Sequence, residues 1–265
     1  MKYIVCYSGG VSSALTAIEA VRKYGKDNVI LLNHDISSHV EHEDIKRFKQ
    51  EVADYLGIKI TYANAENFEE MTPLNVALKN KAFQVMQGQA LCTSRLKTQP
   101  FYNYLEENCK DKENYTILYG FDSGEEQRIY RRSGVLRAMG YKTDYPLAYW
   151  ERTIENVEEI GINRPSTYKL FKHANCIGCL KAGRQHWYAV YCLRPDIFNE
   201  AKQAEKEIGY TIIKGISMEE LEVIFKEMKD VKNICPTEKL KSQTFWAKVK
   251  KALPEDNIMP CDCSF

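Results

Sequence analysis

Short β-rich runs alternate with longer amphipathic patterns along the first half of the chain, and this order limits the fold more than any other feature. The β-rich runs are Lys2–Tyr7, Val29–Asn33, Ile58–Ala63 and Tyr115–Tyr119. Helical spacing of apolar residues is found in Ser12–Tyr24, His39–Leu56, Leu74–Met86 and Phe101–Cys109. Strands that alternate with helices predict an α/β fold with a parallel, doubly wound sheet. Ligands of such sheets bind beyond the carboxyl ends of the strands, where the strand order reverses.

The second half of the chain has a different character. Short helices and a cysteine-containing turn are followed by long helical patterns at Asp196–Ile208, Met218–Met228 and Ser242–Leu253. We therefore predict two regions. Residues 1–150 would form the α/β core, and residues 151–265 a mainly helical C-terminal region, which contains cysteines and packs on that core.

The overall charge does not point to a polyanionic partner. The 37 Lys and Arg residues nearly balance 36 Asp and Glu, which leaves a net charge of +1 and no field that draws the protein to nucleic acid or a membrane. Met1–Cys6 is typical of a strand rather than a secretory signal, so we expect a cytoplasmic protein with no membrane partner. Lys226–Lys251 holds eight Lys against three acidic residues; a solvated helical face is the favoured interpretation, and a nucleic-acid contact the alternative.

A turn rich in Ser and Gly follows the first strand and opens the first helix; it reads Ser8-Gly9-Gly10-Val11-Ser12-Ser13. Two glycines allow the backbone to turn tightly and to approach an anion closely. Three hydroxyl groups and the free N–H groups of a new helix can donate to phosphate oxygens. The turn matches neither the Walker pattern nor GxGxxG. It could be a tight connection alone, but its hydroxyl groups and its position favour a phosphate-binding loop.

Four further elements follow this loop in order along the chain. They are Cys92-Thr93-Ser94-Arg95-Leu96-Lys97-Thr98-Gln99-Pro100-Phe101, Gly120 with Glu125-Glu126-Gln127-Arg128, Tyr145-Pro146-Leu147 with Trp150, and Asn175-Cys176-Ile177-Gly178-Cys179. Together the five elements resemble the PP-loop ATP pyrophosphatase superfamily and, within it, the phosphoadenosine-phosphosulfate (PAPS) reductase-like family. The resemblance covers roughly residues 3–200. It implies an adenine nucleotide alpha-hydrolase-like (PP-loop) fold.

The resemblance also implies roles for individual residues. The nucleotide would be bound, together with Mg²⁺, by the loop and by two residues that follow other strands; these positions are Ser8, Gly9, Gly10, Val11, Ser12, Ser13, Asp35 and Gly120. The catalytic candidates are Ser12, Lys97, Glu125, Arg128 and Cys263. Asp35 could contact the ribose or a metal, or could cap the following loop. Arg128 could bind phosphate or sulfate with Glu125 holding it in place, or the two could form a surface pair.

Two departures from the family pattern matter. Ser12 stands where the family's SGGxDS loop has Asp, a carboxylate that helps to organise Mg²⁺ and pyrophosphate. The chain ends Pro260-Cys261-Asp262-Cys263-Ser264-Phe265 rather than with the reductases' Glu-Cys-Gly-x-His. Each standard subfamily therefore lacks one of its elements here.

Nine cysteines in a reducing compartment indicate metal or redox chemistry more than disulfides. Cys176 and Cys179 can hold one metal centre from a single turn, and the resemblance suggests Cys92 as a third ligand. The fourth must come from elsewhere in the chain: Cys261 is the chosen candidate, Cys263 is the alternative, and Cys192 is less favoured. We expect a [4Fe–4S] cluster, with Zn²⁺ as the alternative. The Cys261 and Cys263 pair could instead act as a sulfur nucleophile. The remaining cysteines taken as core or half-buried are Cys6, Cys109 and Cys235.

The expected function is that of an enzyme which uses ATP to adenylate an acceptor, after which a sulfur nucleophile displaces AMP. This is the logic of the superfamily's thiolating and phosphorothioating members, with a desulfurase as sulfur donor and nucleic acid as a candidate acceptor. One alternative is a PAPS or adenylylsulfate reductase, in which Cys263 attacks sulfur and a thioredoxin regenerates it. The other is a non-catalytic nucleotide-binding component of a larger assembly.

Overall fold

The sheet of this protein is built from five parallel strands. The computed structural model describes residues 1–84 and 88–253. Within them the strands are β1 (Lys2–Cys6), β2 (Val29–Asn33), β3 (Ile60–Tyr62), β4 (Tyr115–Leu118) and β5 (Lys142–Asp144). Their order in the sheet is β3-β2-β1-β4-β5, and each neighbouring pair is parallel. The order reverses between β1 and β4, which makes their carboxyl ends the switch point of the fold.

Helices connect the strands and form most of the second half. They are α1 (Val11–Tyr24), α2 (Glu43–Leu56), α3 (Pro73–Asn80), α4 (Leu91–Thr93), α5 (Gln99–Asn108), α6 (Glu126–Ala138), α7 (Pro146–Tyr149), α8 (Arg184–Leu193), α9 (Pro195–Ile208), α10 (Met218–Lys226) and α11 (Ser242–Ala252). Short 3₁₀ or π-helical turns cover Lys26–Asn28, Ser94–Thr98, Lys112–Asn114, Ser123–Glu125, Val157–Ile160, Ser166–Lys169 and Glu227–Val231. None of the described helices is long and apolar enough to cross a membrane.

Both faces of the sheet are covered, because successive strand residues point to opposite sides. Val5, Leu31 and Leu118 join a cluster with α1 and α2. Their neighbours Ile4, Leu32 and Ile117 join a second cluster, which contains Phe101 and Leu105 of α5 and Leu136 of α6. The predicted parallel α/β sheet is therefore confirmed.

Several boundaries differ from the predicted ones for identifiable reasons. α2 begins at Glu43 rather than His39, because the His42 side chain accepts a hydrogen bond from the Asp44 N–H at 3.1 Å and caps the helix. α3 ends at Asn80, where Lys81 adopts a left-handed conformation with φ 50°; Met86, the predicted end, lies outside the described residues. α6, α8 and β5 were not predicted. In α6 only Ile129 and Leu136 are buried, so the helix has almost no apolar pattern.

The chain divides into two compact units, and the first contains residues 1–69 and 94–166. The boundary predicted after residue 150 thus falls inside this unit. Residues beyond 150 pack on α1: the N–H groups of Thr153 and Ile154 donate to the Glu19 carboxylate at 2.7 and 3.2 Å. Ile154 and Val157 also belong to the buried cluster formed with α1.

The described part of the second unit consists of residues 70–84, 88–93 and 167–253. Its core is aromatic and is formed around Trp187, Phe198 and Phe225, each at most 1% exposed. The segment around α3 belongs to this unit, since the Phe83 N–H donates to the Tyr210 hydroxyl at 2.9 Å and the two rings meet edge to face. An insertion between β3 and β4 is therefore part of the helical unit rather than of the sheet.

Candidate functional site

The loop at the switch point has a fixed backbone. Gly9 has φ 82°, a left-handed conformation that favours glycine. Gly10 is extended and forms the N-cap of α1 without a side-chain hydrogen bond to the helix amides. The loop therefore lies at the N-terminus of α1, where the helix dipole is positive and favours an anion.

The serines of the loop divide into two kinds. Ser13 is buried, and its hydroxyl donates to the Gly10 carbonyl at 2.8 Å while it accepts from the Ser8 N–H at 3.2 Å and the Ser8 hydroxyl at 3.3 Å. Ser8 and Ser12 are exposed. The Ser13 hydroxyl thus holds the loop in shape, whereas Ser8 and Ser12 remain exposed to solvent.

Gly120, directly beyond the Tyr119 that follows β4, touches this loop. A Cβ atom at position 120 would lie 2.8 Å from the Ser12 carbonyl oxygen and 3.0 Å from Thr16 Oγ1. The same Ser12 carbonyl accepts the Thr16 hydroxyl at 2.9 Å. Glycine is required here because the two connections at the switch point meet backbone to backbone, so the loop and Gly120 lie in contact.

A buried lysine supports the loop, and the sequence analysis missed it. A Cβ atom at position 9 would lie 2.8 Å from Lys49 Cγ, which shows that the Lys49 stem fills the space beneath Gly9. The Lys49 ammonium lies 2.9 Å from Glu41 Oε2 and 3.3 Å from Asp35 Oδ1, and its side chain is 2% exposed. The available signal was its position on the apolar face of α2, one residue after the buried Phe48.

Asp35, the predicted ribose or metal contact, belongs to this charged cluster. Its carboxylate lies 2.8 Å from Lys46 Nζ as well as close to Lys49. Burial alone would raise the pKa of Asp35, but the two ammonium groups outweigh burial and hold its pKa below the usual range. Asp35 is therefore a paired carboxylate at the end of β2, and its own N–H is bonded to Asn64 Oδ1 at 2.8 Å.

Lys97 lies near His34, which directly follows β2. It is exposed and belongs to the π-helical turn Ser94–Thr98. Burial lowers the pKa of His34, and the positive charge of Lys97 lowers it further, while a hydrogen bond to the Ala63 carbonyl opposes both. The neutral His34 ring thus donates from Nδ1 to that carbonyl. A groove of about 550 Å³ runs past Ala63 and is lined by Tyr62, Asn64, Arg95, Gln99 and Asn103, among others.

Glu125 and Arg128 form the predicted pair at the start of α6. A carboxylate oxygen of Glu125 binds the Arg128 guanidinium, and Glu125 also closes a capping box with Asp122. The Arg128 side chain remains 60% exposed and lies over the Phe121 ring at 4.2 Å. The carboxylate therefore orients a guanidinium that is still open to an anion. This geometry is compatible both with anion binding by Arg128 and with a simple surface ion pair.

The cysteine turn lies in the second unit and has its own support. Gly178 has φ 75°, and a Cβ atom there would lie 2.6 Å from Ile197 Cγ2. The Cys179 N–H donates to Nε2 of the buried His186 at 3.4 Å, and His186 Nδ1 lies 2.7 Å from Glu238 Oε1. Burial would raise the pKa of Glu238, but the His186 hydrogen bond and the Lys172 N–H lower it overall. The sequence analysis missed both His186 and Glu238, which lies far along the chain.

The predicted metal ligands are only partly within the described residues. Cys92 lies in α4, Cys176 and Cys179 are half-buried on their turn, and all three belong to the second unit. Cys261 and Cys263 lie outside the described residues. Among residues 1–84 and 88–253, no group of three or more His, Cys, Asp or Glu side chains could hold a metal ion. The cluster therefore stays a prediction.

Three further cysteines, Cys6, Cys109 and Cys235, were predicted to be core or half-buried. Burial raises the pKa of Cys6 to about 12 and that of Cys109 to about 11, as expected for thiols that pack rather than react. The prediction for Cys235 was wrong, since this residue is exposed. It lies in the loop before α11, where the preceding Ile234 provides the carbonyl that the Tyr188 hydroxyl binds.

Comparison with known proteins adds one relative. No family model matches the chain. A curated protein, the uncharacterized nin region protein ORF290 of Escherichia phage lambda, is 25% identical over 209 residues, which cover 69% of this chain and 67% of that protein. That protein is itself uncharacterized, so this similarity assigns no activity to the chain.

Proposed function

We propose that this protein is a PAPS reductase-like PP-loop enzyme that binds an adenine nucleotide at Ser8–Ser13. Its reaction would be ATP-dependent adenylation of an acceptor followed by sulfur transfer. The observation that carries the proposal is the loop at the switch point, where a left-handed Gly9 rests on the buried Lys49 and Gly120 contacts Ser12. Such a loop keeps its shape without a ligand, so little ordering entropy would oppose binding.

The residues of the loop would bind and orient the phosphates. N–H groups at the start of α1 and the hydroxyl groups of Ser8 and Ser12 would donate to phosphate oxygens, and the dipole of α1 would favour their negative charge. Arg128, oriented by Glu125, and the exposed Lys97 are the cationic candidates for charge that develops on the leaving group. Bound Mg²⁺ would neutralise phosphate charge.

The chemistry divides into two displacements. An acceptor oxygen attacks the α-phosphorus of ATP, the bond to the β-phosphate oxygen breaks, and pyrophosphate leaves. A sulfur nucleophile then attacks the acceptor atom that carries the adenylate, and AMP leaves with the oxygen. The outer sulfur of a persulfide on a donor such as a desulfurase would make this attack and form a donor–acceptor disulfide. A second thiol would then cleave that disulfide, which releases the thiolated acceptor and leaves a disulfide between the two thiols.

Ser12 makes the first displacement testable. The family's loop has a carboxylate at this position, and here the exposed Ser12 replaces it. Ser12→Asp should strengthen Mg²⁺-dependent ATP binding, with Ser12→Ala as the matched control that adds no charge. Equal Mg²⁺ dependence in both variants would contradict a magnesium-assisted phosphate site at this loop.

The absence of that carboxylate also favours a second candidate, a PAPS or adenylylsulfate reductase that binds its nucleotide without cleaving ATP. Cys263, its proposed nucleophile, lies outside the described residues. A [4Fe–4S] cluster, or Zn²⁺, would draw on Cys92, Cys176, Cys179 and Cys261 in either case. The donor set within the described residues does not complete such a site, so neither reaction is routed through it. Iron and zinc content after anaerobic purification tests it directly.

A calorimetric binding panel separates the candidates. ATP with Mg²⁺, adenylylsulfate and PAPS are titrated into protein purified without oxygen. We expect ATP to bind at least tenfold more tightly than the sulfated nucleotides, about 1.4 kcal/mol. Preference for PAPS or adenylylsulfate would replace adenylation with the reductase. Tight ATP binding without AMP release in the presence of candidate acceptors would leave the non-catalytic component, and no binding of any nucleotide would overturn the proposal.

A further inference from the structure

Helix α6 exposes most of its length and is strongly cationic. Of its thirteen residues only Ile129 and Leu136 are buried. The helix carries four arginines against one acidic residue, Glu126. A helix with so little buried surface gains little stability from packing, so its charged outer side calls for a separate explanation.

Three of these arginines share one face, since Arg128, Arg131 and Arg132 are three and four residues apart. Arg128 lies over the Phe121 ring at 4.2 Å, and Arg132 over the Tyr119 ring at 5.4 Å. Arg131 Nε donates to the Gln127 carbonyl at 3.3 Å. Within the part of the chain that the structure describes, the ion pair of this face is that of Arg128 with Glu125. Arg131 and Arg132 thus present charge that no described carboxylate neutralises.

Aromatic rings accompany the arginines. Tyr119, Phe121 and Tyr145 lie nearly parallel, with interplanar angles of 16–23°. Tyr130 of α6 is 81% accessible, the highest value among the exposed large apolar and aromatic side chains of the described residues. It lies next to Arg131 on the solvent side of the helix, two residues from Arg128 and Arg132 and therefore off their face. We call Phe121, Arg128, Tyr130, Arg131 and Arg132, which together follow the exposed side of α6, the arginine–tyrosine surface. Guanidinium groups with exposed rings beside them are typical of surfaces that bind single-stranded nucleic acid.

We propose that the arginine–tyrosine surface binds single-stranded nucleic acid. The arginines would contact successive phosphates, and Tyr130 would stack on a base. Charge complementarity selects a polyanion over a single phosphate, because the cations are spread along the helix, and Tyr130 selects unpaired bases over a closed duplex. Phe121 directly follows Gly120, which contacts the loop at Ser12, so the surface begins beside the proposed nucleotide site. It would deepen the proposed function by naming the class of acceptor, and that part rests on the proposed function.

Helix α11 is also basic and can be compared with α6. Lys248, Lys250 and Lys251 are exposed there, but Phe245 and Val249 are its buried residues and Trp246 is half-buried. Within α11 itself, the described aromatic side chains are thus not exposed beside these lysines. The overall charge of the protein is close to zero, so binding by general attraction should be weak. The lysines of α11 therefore serve as a matched control for the removal of positive charge.

The test measures fluorescence anisotropy of fluorescein-labelled dT20 and rU20 at several salt concentrations. Arg131→Gln/Arg132→Gln is compared with Lys248→Gln/Lys250→Gln, which removes the same charge elsewhere. We expect the arginine variant to bind at least tenfold more weakly, with a salt slope lower by about 1.4 for two lost phosphate contacts. Tyr130→Ala should weaken binding at least about fivefold without a change in the salt slope.

ATP binding, measured on the same proteins, separates this proposal from the previous one. The arginine variant should bind ATP as the wild type does, and Gly9→Ala should lose ATP while it keeps dT20 or rU20. Failure of ATP binding with intact oligonucleotide binding would overturn the nucleotide site alone. Equal oligonucleotide affinity in the arginine and lysine variants, tighter binding of a 20-base-pair duplex, or no binding at low salt would overturn the arginine–tyrosine surface.

Discussion

The loop Ser8–Ser13 and the cysteine turn Cys176–Cys179 are built in a similar way, but the predicted residues of the loop all lie within the described residues and those of the metal site do not. In both, a left-handed glycine packs against a side chain from another helix: Gly9 against Lys49 and Gly178 against Ile197. The partners of the loop come from the switch point of one sheet. The turn is held by His186 and by Glu238, 52 residues further along the chain, and its predicted ligand Cys261 lies outside the described residues. A site made from adjacent strand ends is thus specified locally, whereas a site of scattered ligands is not.

The largest effect should come from the charge beneath the loop. Lys49→Met keeps an aliphatic stem under Gly9 but leaves Glu41 and Asp35 without their buried ammonium group. Breaking one partner of a buried ion pair costs about 3–5 kcal/mol. Urea unfolding should show this loss, whereas Lys46→Met, whose side chain is 29% exposed, should lose about 1 kcal/mol or less. Equal losses would show that the buried cluster does not support the loop.

Gly9→Ala should have the next largest effect. The left-handed conformation costs about 1–2 kcal/mol for a residue with Cβ, and overlap with Lys49 adds about 1–3 kcal/mol. Gly161→Ala is the control, since Gly161 is left-handed with φ 77° but nothing lies within 4 Å of the added atom. Unfolding free energies should differ between the two variants by the overlap contribution, and only Gly9→Ala should lose ATP binding. Intact ATP binding would show that the loop does not hold the phosphates.

Gly178→Ala tests the cysteine turn in the same way. One methyl group of Ile197 obstructs the added atom, so we expect the strain of the left-handed conformation plus about 1 kcal/mol. Gly215→Ala, with φ 82° and nothing within 4 Å, shows the strain alone. If the turn carries a metal, iron or zinc content should fall in Gly178→Ala and not in the control. Unchanged metal content together with unchanged stability would contradict the packing described for this turn.

A smaller effect, dependent on pH, should appear at Glu238. Because its pKa is lowered in the folded protein from an ordinary value of 4.5, the carboxylate stabilises the fold above that pH. The stabilisation is lost as the pH falls below 4.5 toward the folded pKa. Thermal unfolding should therefore show that wild type exceeds Glu238→Gln in Tm at pH 6 and that the difference shrinks at pH 3.5. A constant difference in Tm would show that the ionised carboxylate of Glu238 does not stabilise the fold through His186.

The last prediction concerns the chemical reactivity of two cysteines, Cys109 and Cys235, in the wild-type protein. At pH 8 the thiol of Cys109, with a pKa of about 11, is almost entirely protonated and buried, whereas Cys235 is exposed. Iodoacetamide labelling followed by peptide mapping should modify Cys235 well before Cys109. Labelling of Cys109 at a similar rate in the native protein would contradict its place in the core.

Four of the five strands could be predicted from the sequence, because the spacing of apolar residues reflects which residues are buried. Val29–Asn33 was predicted with its observed bounds, since every residue in it is apolar except the last. Lys142–Asp144 has no apolar residue, so β5 could not be found. α6 was missed for the same reason, and its polarity is itself the feature that suggests a binding surface.

Sequence patterns pointed to some residues of the candidate site, but not to those that come together only through tertiary packing. The loop was predicted because glycines and hydroxyl groups at a strand end suit an anion, and Gly120 was predicted from the family resemblance. Lys49 was missed, because a lysine on an apolar face is usually read as exposed, and only tertiary packing shows that Gly9 covers it. His186 and Glu238 were missed because their contact joins residues far apart in the chain.

Hydrogen–deuterium exchange with and without ATP and Mg²⁺ tests the central claim most directly. If Ser8–Ser13 holds the phosphates, amides of the loop and of the first turn of α1 should exchange more slowly when ATP is present. Peptides around Gly120 should also be protected, because Gly120 contacts Ser12. Tight ATP binding with protection elsewhere and no change at residues 8–13 would contradict the account.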